Sequence, residues 1–333
     1  MKGSLFIFSF FGKGAVIWYN KSRNNIKKRV RVMKYYGTNG ECVDAYIGQW
    51  SEDGRTPNSN MYFVGDVIYS YGPHFPMAVR LSNGFYVVNG DRYSVTTSQH
   101  QRMLFTAIPN RKRVEIPYSA LFAALGLPRY SEFYRVVDII KKEMEILDWV
   151  DDSYVNTGKL DKDGNPIYDH VLGGCLFKLG EDRKFLSSMD ESGTGRGLFF
   201  LTELADNNVT TIEEAYESLK PEEVKKAEKQ GKEIRRQGEH FFIKIEDEDF
   251  EIGEVEKRYL IKNKDDSRED RHFATEGFER DGRQFVRGVI RHSRGEHSML
   301  KLYEEGVKAR DRKWYEQFEN IQINSWSAGG SVD

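Results

Sequence analysis

Two cysteines in 333 residues, Cys42 and Cys175, are too few for a disulfide framework or a thiolate zinc site. They read as reduced structural thiols, and the chain as cytoplasmic. No run of about 20 apolar residues occurs, so no segment can span a bilayer as a helix and no membrane partner is expected. A dominant charge is missing too. The 50 Lys and Arg stand against 52 Asp and Glu, and a net charge of −2 gives no global attraction to a polyanion. Any such site must be a local patch. The phosphate loop, the Rossmann glycine pattern and the zinc-protease histidine pair are all absent from the sequence. The sequence therefore names no cofactor and leaves open whether the protein is an enzyme.

What is present is a 39% hydrophobic, 13% aromatic composition, which belongs to a globular protein with a substantial core. Residues 1–32 stand apart, with eight Lys or Arg, no acidic residue and an apolar run from Leu5 to Phe11. A signal peptide is one reading, but the run is short, Lys13 breaks it and no clean cleavage site follows. The preferred reading is a basic aromatic leader that is not native, with the protein starting at Met33. Lys27-Lys28-Arg29-Val30-Arg31 is what a translated purine-rich ribosome-binding site would give.

The pattern then divides into a β-rich part with helices at its end, residues 33–158, and an α+β part, residues 165–333. The turn-rich loop Asp161–Pro166 marks the boundary. Met61–Ile116 reads mostly as strands, with hairpin signals at Asn83-Gly84 and Asn89-Gly90. Helices are expected over Ser119–Leu125 and Glu132–Trp149, the latter capped by Ser131, and after the capping box Thr211–Glu214. Further strands are expected over Ile234–Ile245, Tyr259–Lys262, His272–Glu279, Gln284–His292 and Met299–Tyr303. The fold class is α+β, with mixed to mostly antiparallel sheets and two groups of helices.

All seven histidines lie between residues 74 and 297, most of them among charged or hydroxyl side chains. Four segments are candidate sites. In the first, Arg92 and the hydroxyls of Ser94, Thr96, Thr97 and Ser98 could hold a phosphate, with His100 as proton donor. The competing reading is a polar strand edge with Arg92 paired to Asp91. In the second, Tyr71 and His74, with Asp91, shape a pocket or only a packed corner. In the third, Glu239 adjoins His240. Successive strand residues face opposite sides, so both can serve one site only if a bulge at Gly238 re-aims one of them.

The fourth segment is the basic one. Between Arg271 and His297 fall six Arg and three His against three Glu and one Asp. The Asp281-Gly282 turn could bring His272 near His292. Arg287, Arg291 and Arg294 suit a polyanion, and His272, His292 and Glu239 suit acid–base work. His292 and His297 are five apart, with no carboxylate or cysteine at ligand spacing, so no metal is expected.

Tyr71-Gly-Pro-His74-Phe-Pro, Asn89-Gly-Asp-Arg-Tyr-Ser94 and Arg236-Gln-Gly-Glu-His-Phe-Phe242 resemble segments of a hypothetical-protein family of phages and plasmids. The resemblance covers roughly residues 60–333. It implies a mobile-element context and no role for individual residues. Together these readings give a mobile-element protein that interacts with nucleic acid or a nucleotide through a His/Arg-rich cleft, with phosphodiester chemistry undecided. The alternative is a noncatalytic structural or host-interaction protein. The first reading expects His74, Arg92, His100, Glu239, His272, Arg287 and His292 to share one cleft.

Overall fold

The computed structural model describes residues 10–11, 15–18, 29–127, 133–151, 153–171, 173–189, 199–247, 249–263, 272–293 and 298–327. The fold is α+β, and the chain divides after Met144 into two compact units. Among the described residues, no helix is long and apolar enough to cross a membrane. Short strands β1 (Phe10–Phe11), β2 (Ala15–Trp18) and β3 (Arg29–Val32) pair antiparallel with one another.

The rest of the first unit is built on one sheet of seven strands in strict sequence order. These are β4 (Lys34–Tyr35), β5 (Asp53–Arg55), β6 (Met61–Val64), β7 (Val67–Ser70), β8 (Pro76–Arg80), β9 (Tyr86–Asn89) and β10 (Arg113–Ile116). The two end pairs, β4–β5 and β9–β10, are parallel and the others antiparallel. Helix α1 (Asn39–Ile47) is capped by Thr38 and packs Cys42, Val43, Ala45 and Tyr46 into the core with Met61, Phe63, Ile68 and Met77.

Two helix expectations need correction. Within the stretch read as strands lies α2 (Val95–Ala107), capped by the Ser94 hydroxyl. Its buried face is Thr97, His100, Gln101 and Leu104, at helical spacing. Three of those four are polar, so apolar periodicity could not reveal it. Helices α3 (Tyr118–Ala124) and α4 (Phe133–Glu143) follow, and α4 buries Val136, Val137 and Ile140. The helix expected to reach Trp149 stops at Glu143. Leu147 and Trp149 belong instead to β11 (Met144–Val150), whose pairing in a sheet overrides its helical spacing. Ser131 lies outside the described residues.

In the second unit, β11, β14 (Gly174–Leu179), β15 (Arg183–Met189), β16 (Phe199–Glu203) and β24 (Asn324–Ser327) form one sheet. The loop Asp161–Pro166 is the turn between β12 (Ser153–Leu160) and β13 (Pro166–Val171), a two-stranded ribbon. Helix α5 (Ile212–Leu219) starts at the complete Thr211–Glu214 capping box. Helix α6 (Glu222–Lys229) packs Val224 and Ala227 on Phe241 and Ile243.

The remaining sheet runs β17 (Ile234–Gln237), β18 (His240–Lys244), β23 (Tyr315–Glu319), β21 (Arg283–His292), β20 (His272–Arg280) and β19 (Glu256–Ile261). Strand β22 (Leu300–Lys301) pairs with β21. The expected Ile234–Ile245 strand is in fact a hairpin that turns at Gly238-Glu239. The sheet coils: just past edge strand β19, Lys262 hydrogen-bonds Gln284 of β21, although β20 lies between the two strands. Phe242, Tyr259, Ile261, Ala274, Val286, Ile290, Leu302 and Tyr315 form its apolar core.

The β20–β21 register is set at two places. Asp281 and Gly282, with φ of 53° and 71°, make the two-residue turn that pairs Arg280 with Arg283. Extended unchanged, that register would set His272 opposite Arg291. A bulge between Ala274 and Glu276 adds one residue to β21, and His272 faces His292 instead. Gly288 lies in the bulge with φ of 96°, and a Cβ there would stand 2.7 Å from the Thr275 Cβ. Gly288→Ala is therefore expected to destabilise the protein by about 1–3 kcal/mol. The check is a urea unfolding midpoint, and an unchanged midpoint would show that the bulge does not need glycine.

Candidate functional site

In the first unit, His100 is buried on α2 between two polar partners. Its Nδ1 lies 2.8 Å from the Ser70 hydroxyl and its Nε2 lies 3.0 Å from the Asn39 amide nitrogen. An amide N–H at Nε2 makes that nitrogen the acceptor, so Nδ1–H donates to Ser70. Burial pushes the pKa of His100 below the ordinary histidine value. Both ring nitrogens are thus committed to the fold. Tyr71 is exposed, has φ of 60° and sets its ring 5.6 Å from that of His100. His74 is exposed, with its ring 6.5 Å from Tyr93. Asp91 turns inward: its carboxylate accepts the Ser119 N–H and hydroxyl, both at 2.6 Å, and so tethers the start of α3. Arg92 is exposed in the loop before α2.

The second unit brings His240, His272 and His292 together. His240 opens β18, directly after the Gly238-Glu239 turn, and pairs with Gln237 across the hairpin. Glu239 is in the turn rather than the strand, so strand alternation does not separate it from its neighbour. Its Oε1 lies 3.7 Å from His240 Nε2. The His272–His292 pair comes from β20 and β21. Ring centroids are 4.6 Å apart for His240 and His272 and 4.8 Å apart for His272 and His292, each pair steeply inclined. His240 and His272 are at most 1% exposed, and Glu239 is partly exposed.

One ligand atom from each of Glu239, His240 and His272 lies within 4.8 Å of the other two. An ion bound at about 2.1 Å from an imidazole nitrogen sits about 3.2 Å from the ring centroid. Two such rings at octahedral to tetrahedral angles have centroids about 4.5–5.2 Å apart. The His240–His272 separation falls in that range. Closing to a filled site requires an ångström-scale inward shift of the ligand atoms. His292 packs on the far ring of the pair and holds His272 in place.

Among the described residues, Arg287 and Arg291 do not join this cluster. Arg287 is ion-paired to Glu276 and lies 4.5 Å over the ring of Trp314, in a separate apolar cluster with Phe278 and Phe285. Arg291 is exposed, and as the strand neighbour of His292 it faces the other side of β21. Arg294, Arg271 and His297 lie outside the described residues. Of the seven residues expected in one cleft, His74, Arg92 and His100 belong to the first unit. Glu239, His272, Arg287 and His292 belong to the second. The sequence placed His240 beside Glu239 in a candidate segment but not in the expected shared cleft. Sequence reasoning passed over Gln317 of β23, whose amide nitrogen lies 2.8 Å from His240 Nδ1.

The lowered pKa of His100 has a consequence for stability. Well above pH 6.5 the histidine is neutral in both folded and unfolded chains and adds no pH dependence. Below that, the unfolded chain takes up the proton first, so stability falls until the folded His100 is protonated too. His100→Gln is expected to flatten the fall in unfolding free energy between about pH 7 and pH 5. An identical slope in the variant would mean that His100 is not the group responsible.

No family model matches the chain, and no curated protein and no solved structure matches it.

Proposed function

We propose that the second unit holds a divalent first-row transition-metal ion on Glu239, His240 and His272. One observation carries the reading: ligand atoms of these residues, from a turn and two strands, converge within 4.8 Å of one another around a buried pair of imidazoles. Two imidazoles and one carboxylate are borderline ligands that suit zinc or ferrous iron better than magnesium or calcium. Three protein ligands leave a coordination position for water or a substrate, the arrangement of a reactive rather than a sealed structural site. His292, set edge to face against the His272 ring, is a positioning residue.

The test is a titration of chelator-stripped protein with Zn²⁺, and with Co²⁺ as a spectroscopic probe. One ion per chain is expected, with the visible absorption of an imidazole-bound Co²⁺ complex. His272→Ala and Glu239→Gln should weaken binding by roughly 100-fold or more, since each removes a ligand. Glu239→Gln sits on a partly exposed turn and tests the point without opening the core. His100→Ala should bind as tightly as the unaltered protein. Equal affinity in all four proteins would overturn the proposal.

A further inference from the structure

The partner of His240 on its outer side is a donor where a metal ligand needs an acceptor. A histidine that binds a metal through one nitrogen ordinarily donates the N–H of the other to a carboxylate, carbonyl or water. Here the Nδ1 of His240 faces the Nε2 of Gln317 at 2.8 Å.

Backbone groups decide which way that amide points. Lys262 N–H donates to Gln284 Oε1 at 2.7 Å, and Gln284 Nε2 donates to the Lys262 carbonyl at 2.8 Å. A backbone N–H and C=O cannot exchange roles, so the amide of Gln284 has one orientation. Its Nε2 also reaches Gln317 Oε1 at 3.1 Å, which fixes that oxygen as an acceptor. The Tyr259 hydroxyl, 3.3 Å from Gln284 Oε1, supports the same orientation. Gln317 must then present its N–H to His240. Nδ1 accepts, and the proton of the neutral ring sits on Nε2, the nitrogen that faces Glu239.

We propose that Gln317, held by Gln284 and the Lys262 backbone, is the positioning residue that limits metal affinity at this site. The inference rests on the metal reading above. A metal needs the Nε2 lone pair, so His240 must adopt its other tautomer. Gln317 must then turn, which would set its amide nitrogen against that of Gln284. The relay thus favours a form of the site in which the Nε2 of His240 carries the proton and has no lone pair to offer. Metal binds only when one link lets go, so the site binds reversibly rather than permanently.

The test uses two variants and one spectroscopic reading. In Gln317→Glu, a carboxylate can accept from Gln284 and from His240 Nδ1–H together. Zn²⁺ affinity is expected to rise about 10- to 100-fold, the usual size of an outer-partner effect. Gln284→Met adds no charge and frees Gln317 to turn. It should also tighten binding, which separates the relay from simple electrostatics. Nitrogen-15 shifts of the His240 ring in the metal-free protein should show the proton on Nε2, and on Nδ1 in Gln317→Glu. A wild-type His240 protonated on Nδ1, or wild-type binding that neither variant tightens, overturns the relay and leaves the metal site standing. Binding by Gln317→Glu where the unaltered protein shows none supports the relay. Absence of binding in all three proteins removes both the metal site and the role given to Gln317.

Discussion

The extra residue that β21 carries at its Gly288 bulge decides which side chain faces His272. The Asp281-Gly282 turn starts the two strands in a register that leads to Arg291, an exposed cation. The bulge advances β21 by one position, and a one-residue shift exchanges every side chain between the two faces of a strand. His292 arrives on the inner side and Arg291 is sent outward. The bulge itself needs a left-handed residue without a Cβ, in contact with Thr275. The imidazole pair and the exclusion of arginine from it are therefore two results of one local insertion.

Coiling of the same sheet supplies the rest of the site. A flat sheet would keep the end of β19 away from β21 and from the β17–β18 turn. Instead Lys262 meets Gln284, and the amide nitrogen of Asn263 lies 3.5 Å from Glu239 Oε1. Eight buried residues of the same sheet and its connections, from Phe242 to Tyr315, form one apolar cluster. The histidines extend the same strands, two residues beyond Phe242, Ala274 and Ile290. Polar groups placed beside an aliphatic core interact more strongly than they would in water, and they cost more if left unmatched. This is why the orientation of a single amide, that of Gln317, can matter to a ligand.

How much of this could be read from the residues depended on whether the signal was local. The Asp281-Gly282 turn announced the hairpin and with it the approach of His272 to His292. The α5 capping box was explicit, and the α+β class followed from the strand runs and the two helical stretches. Helix α2 was hidden because its inner face is Thr97, His100 and Gln101, and a hydrophobic pattern cannot show a polar face. Glu239 and His240 could share a site under strand alternation only through a bulge at Gly238, and the chain brings them together by a turn there instead. His240 and His272 are far apart in the chain, so ligand spacing could not join them. The basic patch illustrates the opposite error. Its arginines are close in sequence to the histidines, yet Arg287 is committed to Glu276 and Trp314.

X-ray absorption at the metal edge of the zinc-loaded protein tests most directly whether Glu239, His240 and His272 are ligands to one ion. Coordination by all three predicts a shell of nitrogen and oxygen neighbours at about 2.0–2.2 Å. It also predicts the outer-shell scattering of two imidazole rings, reduced to one ring in His272→Ala. A shell of oxygen neighbours alone, without imidazole scattering, would contradict it.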